Sequence, residues 1–544
     1  MTKLHFPAGR AGAEPPPAQR KVYALVRTQT TPLSAPCTKC RGRQGAKKKG
    51  AFSMKKAMKK LMAALLAVAM VCAMAIPAFA AVDITSHTFE AYQIFAGDLN
   101  EGTLSNVTWG HNVTTATLLN YLKTANAAYS ACTDAKGVAE VLSNNPSLKY
   151  DFAKIAADHV TGTAMATGTG SVTLPSAGYY LIVDTTDVAN KHDAKNLSLL
   201  QVSGATTVTP QVKTDIPTLE KKVKDINDTT GVKSDWQDSA DYDIGDTIPY
   251  KLTATLGKLD NYDKYYVKFV DTMEHLTYVA NSASVKIDTT ELTPTQYKLT
   301  WDETSKTLAI EIANVKALGA DNNSVITVEY NATLDSSAAI GSTGNPNSAY
   351  LVFSNNPNGE GTGKTPEDKN IVFTYKVDAN KVDPEGNSLP GAAFELFKKV
   401  KDSSGNITWE SKGVANATKH EDGTYTITDA EHVMNFVWNG IDDGDYKLVE
   451  VVTPAGYNTM DALFFTVTAT HDEEAADPKL LTLTGNPFSG DVSSGILTSQ
   501  IENNRGTTLP GTGGIGTTIF YVIGGGLMVA AAILLITKKR MENR

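Results

Sequence analysis

The chain has 544 residues, a formal net charge of −8 and four cysteines. The length makes room for about three or four domains, and the cysteine count excludes a disulfide-held scaffold. Basic residues concentrate in residues 1–60 and at the C-terminus, so residues 81–512 are far more acidic than the whole and hold one arginine, Arg505. Such a surface repels phosphate backbones and excludes nucleic acid as a partner.

Residues 1–53 are basic and Pro-rich, without apolar periodicity. They are read as a mis-assigned leader, with translation starting at Met54. Their CTKC, Cys37 to Cys40, lacks a second ligand pair, so no metal site is expected. Residues 54–80, MKKAMKKLMAALLAVAMVCAMAIPAFA, place lysines before a short apolar run and end on a small-x-small site. That pattern is a secretory signal peptide, with cleavage expected between Ala80 and Ala81.

From Ala81 to Thr508, short apolar runs rich in Thr, Val and Tyr alternate with Gly, Asn, Asp and Pro. YYLIVD at 179–184, YYVKFVD at 265–271 and AYLVFS at 349–354 are examples. The pattern predicts a mainly β chain of tandem immunoglobulin-like sandwiches, set end to end as an elongated rod. Three domains are expected, at 81–213, 214–365 and 366–505. Helical patterns are confined to the first, around 116–128 and 153–159. NGEGTGKT at 358–365 approaches a phosphate-binding loop, but Asn358 stands where Gly is required and Pro366 follows. It is read as an interdomain loop.

Strand alternation places certain polar residues on the inward face. In the third domain Lys381 continues the parity of Tyr375, Val377 and Ala379. Glu450 continues that of Tyr446 and Leu448, and Asn503 that of Leu497 and Ile501. In the second, Lys221 falls in phase with Leu219 and Val223, Asp271 with Phe269, and Asn347 with Ala349 and Leu351. Each of these two domains thus offers one lysine, one carboxyl and one asparagine to its core. The choice of Lys221 over its neighbour Lys222 rests on phase alone. Burial drives an amine toward neutral and a carboxyl toward protonated. A neutral amine beside a carboxamide is a nucleophile beside an electrophile, and a protonated carboxyl can polarise the amide and move protons. The expected product is a Lys–Asn isopeptide bond with loss of ammonia, Asp271 and Glu450 acting as the catalytic groups.

Residues 506–544 carry LPGTG at Leu509, Pro510, Gly511, Thr512 and Gly513, an apolar run at 519–536, then Lys538, Lys539 and Arg540. The run is just long enough to span a bilayer, so a C-terminal transmembrane helix is expected, with its basic end cytoplasmic.

With these residues in place, the chain from Met54 onward resembles the sortase-assembled backbone pilins of Gram-positive bacteria. LPGTG, the apolar run and the basic tail look like a cell-wall sorting signal. YKLVEVVTPAGY at 446–457 is similar to the pilin E-box, with Val451 and Thr453 as departures, and KVDPEGNSLPGAAFEL at 381–396 looks like the start of a Cna B-type domain. The middle region resembles the fimbrial isopeptide-forming D2 domain, which is Cna A-like. The resemblance implies that a sortase cleaves between Thr512 and Gly513 and passes Thr512 to a lysine of the next copy. The family carries that lysine in a V-Y-P-K motif. Here Thr209 and Gln211 depart from it, and Lys213 is the nearest candidate acceptor, with Lys191 and Lys195 behind it. Implied partners are a pilus-specific (class C) sortase, a wall-anchoring sortase, further copies of the chain, ancillary pilins, peptidoglycan and, transiently, the membrane through 519–536. No cofactor is implied. The alternative is a monomeric wall-anchored adhesin, or an ancillary tip or basal pilin. No HExxH, G-x-S-x-G or ordered His/Asp/Ser set points to an enzyme.

Overall fold

A computed structural model describes residues 80–507 and 516–542. Antiparallel sheets dominate the chain, as the alternation predicts. In the first domain the strand Thr88–Asn100 is central to a sheet with Thr103–Trp109, Ala166–Thr169 and Gly178–Asp184, and Leu199–Ser203 pairs beyond the last of these. Three helices cover it: Thr115–Ala125, Ala135–Asn144 and Lys149–His159. Leu118, Leu122, Val138 and Phe152 bury against Ile94, Phe95 and Leu181 of the sheet. The first and last helices match expectation. The middle one is an addition; Asp134 caps it by accepting from the Gly137 N–H at 2.9 Å.

The second domain stacks two sheets. One is built on Thr218–Val223, Thr247–Thr255 and Val325–Leu334, the other on Asp368–Phe373, Asn345–Ser354, Val267–Met273 and Thr307–Ile312. Tyr250, Leu252 and Val328 of the first meet Phe269, Ile310 and Leu351 of the second in one core. Residues 368–373 hydrogen-bond within this sandwich, and the strand has two faces: Val372 joins the second core, while Ile371 and Phe373 join the third.

The third domain pairs Tyr375–Val382 with Asn435–Ile441 on one side and with Ile496–Glu502 on the other. The pairing of Tyr375–Val382 with Ile496–Glu502 is parallel and joins the domain's first and last strands, Lys381 opposite Ile501. The facing sheet holds Ala393–Lys401, Gly444–Val452 and Leu463–His471. The loop at 358–365 is fastened to the first domain: the Lys364 N–H donates to Lys191 O at 2.9 Å, and Asn190 donates to Thr362 O at 3.0 Å. A helix runs from Gly516 to Glu542. Its stretch Ile519–Met541 is long enough to cross a membrane by length and composition, apolar through residue 536 and basic at Lys538, Lys539 and Arg540.

Candidate functional site

Lys221, Asp271 and Asn347 meet inside the second sandwich, all fully buried. Lys221 comes from one sheet; Asp271 and Asn347 come from adjacent antiparallel strands of the other. In that register Asp271 faces Ala349 and Met273 faces Asn347, which makes carboxyl and carboxamide diagonal neighbours. Lys221 Nζ donates to Asp271 Oδ2 at 2.7 Å and to the Tyr330 hydroxyl at 3.0 Å. That hydroxyl donates to Asp271 Oδ2 at 2.6 Å and accepts from Asn347 Nδ2 at 2.9 Å. Burial pulls the Lys221 amine below its ordinary pKa, against the opposing pull of Asp271. Asp271 Oδ1 and Asn347 Oδ1 have no hydrogen-bond partner among the described residues. Lys222 points elsewhere, pairing with Asp238 at 2.9 Å and Glu474 at 3.0 Å.

The third sandwich repeats the composition with different bonds. Lys381 and Glu450 are buried on opposite sheets, and Asn503 is buried just beyond the last strand. Asn503 Nδ2 donates to Glu450 Oε1 at 2.7 Å, while Glu450 Oε2 accepts from the Met460 N–H at 2.9 Å and Thr453 Oγ1 at 3.2 Å. Thr453, a departure from the E-box pattern, therefore helps hold the carboxyl. Lys381 Nζ donates to Ile501 O at 2.7 Å and Val382 O at 3.3 Å, both backbone carbonyls. Burial lowers its pKa to about 8, against the pull of Glu450 and Glu502. Asn503 Oδ1 is left without a hydrogen-bond partner among the described residues.

The six side chains that sequence phase turns inward are buried, but phase missed Tyr330, the hub of the second set. In VITVEYNATL its phase with Ile326, Val328 and Ala332 reads as plain core. Tyr250 was missed for the same reason; its ring lies 4.9 Å from Lys221 Nζ.

Lys213 lies half-buried between the first two domains. Its N–H donates to Asn196 Oδ1 at 2.9 Å and its Nζ to Gln211 Oε1 at 3.3 Å. It lines a cleft of about 280 Å³ with Tyr150, Tyr179, Ser198 and Gln211. Ala80 and Ala81 form a short strand against Ile216 and Asp215. The leader, most of the signal segment and the LPGTG residues Leu509, Pro510, Gly511, Thr512 and Gly513 lie outside the described residues.

Residues 375–479 match the SpaA domain, described as a prealbumin-like fold, and residues 501–543 match the LPXTG cell wall anchor motif. The chain is 26% identical over 387 residues to the trypsin-resistant surface T6 protein of Streptococcus pyogenes serotype M6, covering 61% of this chain and 70% of that one. Among solved structures, it is similar to the T6 backbone pilin of that serotype, with 17% identity, a TM-score of 0.46 and coverage of 78% and 98%. It is also similar to the full-length major pilin SpaD of Corynebacterium diphtheriae, with 17% identity, a TM-score of 0.41 and coverage of 78% and 90%. By its domain and its anchor the chain is a cell-wall-anchored surface protein carrying a prealbumin-like SpaA domain, and a relative of the streptococcal T6 surface protein.

Proposed function

We propose that the chain is the backbone subunit of a covalently polymerised surface pilus, each sandwich closed by its own Lys–Asn bond. The observation that carries this reading is the enclosure of two Lys/carboxyl/Asn sets in successive sandwiches of one wall-anchored chain. Lys221 Nζ attacks Asn347 Cγ and Lys381 Nζ attacks Asn503 Cγ. In each, the N–C bond forms, the C–NH₂ bond breaks, and ammonia leaves with the proton that the amine gives up. Asp271 and Glu450 polarise the carbonyl and relay that proton. In the third domain a half-turn of the Asn503 amide sets its carbonyl oxygen against a protonated Glu450, in place of the –NH₂.

Polymerisation follows the anchor. A pilus-specific sortase holds Thr512 as a thioester after releasing Gly513, and a lysine amine of the next copy displaces the thiol. Lys213 is the proposed acceptor, on a cleft at the end of the first domain. A wall-anchoring sortase finally joins the fibre to peptidoglycan, and ancillary pilins join by the same chemistry. The test co-expresses the chain with its pilus sortase. A boiling-resistant ladder is expected, and Lys213→Ala abolishes it. A ladder that survives Lys213→Ala removes the acceptor assignment. A wild-type chain that stays monomeric marks instead a singly anchored surface protein.

A further inference from the structure

The junction of the second and third domains buries more negative charge than its lysines offset. Asp228, Asp243 and Asp442 gather around Lys398 Nζ, with Lys412 also on Asp243. Beside them stands a second group with no lysine: Asp225 and Asp241 from the second domain, His471 from the third. One ligand-capable atom from each lies within 4.8 Å of the others.

His471 has a side chain only 6% exposed, and its Nε2 faces Asp225 Oδ2 at 3.6 Å and Asp241 Oδ1 at 3.9 Å. Both separations exceed hydrogen-bond reach. They approach the spacing of ligand atoms around a small ion, since zinc bonds of roughly 2.0–2.1 Å put tetrahedral neighbours about 3.3 Å apart. Asp241 Oδ2 is buried without a hydrogen-bond partner among the described residues. The far side of the imidazole is already fixed. Ser239 Oγ donates to Asp472 O at 2.6 Å, so its 2.7 Å contact with His471 Nδ1 is filled by a ring N–H donating to Oγ. In the neutral ring that tautomer turns the Nε2 lone pair toward the carboxylates, which is how a metal-binding histidine is held.

We propose that Asp225, Asp241 and His471 bind a divalent cation of the zinc class, pinning the second domain to the third. One imidazole with carboxylates favours zinc over calcium, which takes oxygen alone. The position left open on the ion falls to water.

The test titrates zinc into the full chain after chelator treatment, by calorimetry, with Cys37 and Cys40 common to every sample. His471→Ala and Asp225→Asn should each bind one zinc fewer than wild type. Asp225 is half-buried and its replacement near-isosteric, which guards against a folding defect. Ser239→Ala should keep the stoichiometry and weaken binding about 10–100-fold. Cobalt should give the wild type a visible absorption band that His471→Ala lacks. Equal zinc stoichiometry in wild type and both ligand variants, or a site that takes calcium and not zinc, overturns the proposal.

Discussion

At the scale of single residues, Glu450 is where the proposed third-domain bond is most exposed to test. It is the carboxyl that accepts from Asn503 Nδ2 and the group proposed to relay the proton to the amide. Glu450→Ala should therefore retain the second-domain ammonia loss and abolish the third, read by intact mass of the purified chain. Releasing a loop of roughly a hundred residues should cost about 4 kcal/mol, or roughly 10–20 °C in melting temperature. Tyr330→Phe makes the complementary prediction. It removes one donor to Asp271 and one acceptor for Lys221, so second-domain bond formation should slow by about 10–100-fold without stopping, followed by mass over time. A bond formed at the wild-type rate would reduce Tyr330 to packing. Lys381 adds a pH dependence. Its folded pKa of about 8 lies below the unfolded value of about 10.4, so between the two the unfolded chain binds more protons and stability rises with pH. In the bond-free variant Asn503→Ala, stability should increase from pH 8 to 10 relative to the same variant carrying Lys381→Met.

At the scale of elements, the sequence showed which strands carry inward polar residues, because a period of two is a local property. It did not show which strands neighbour which. The diagonal placement of Asp271 and Asn347 depends on an antiparallel register between strands some seventy residues apart, and Lys381 meets Ile501 only through a parallel pairing across the whole domain. The helix Ala135–Asn144 escaped notice because Gly137 lies inside it and one of its three buried residues is only an alanine, Ala135, beside Val138 and Leu142. Ile371, Val372 and Phe373 show a related limit: apolar on both parities, they serve two cores, and alternation cannot assign them to one. The junction their strand helps form was invisible too, since its aspartates come from both domains and read singly as solvated loops. There Lys398→Met should leave Asp228, Asp243 and Asp442 without their shared counter-ion. The variant should lose about 3–5 kcal/mol in denaturant unfolding. A change under 1 kcal/mol would mean that other cations neutralise the cluster.

At the scale of the molecule, the parallel pairing of Tyr375–Val382 with Ile496–Glu502 has a mechanical consequence. Tension on a pilus shaft enters the third domain at the start of the first of these strands and leaves at the end of the second. Parallel neighbours pulled from those opposite ends are loaded in shear, so every rung of the ladder resists at once instead of opening one by one. Lys381 and Asn503 sit near the exit end of this pair. With the two joined, load travels along a few residues, crosses the side-chain amide and leaves. The intervening polypeptide, including Glu450 and the whole facing sheet, carries none of it. Pulled singly, the domain should show no lengthening step below the force that ruptures covalent bonds, whereas Asn503→Ala should pay out the full contour of the domain.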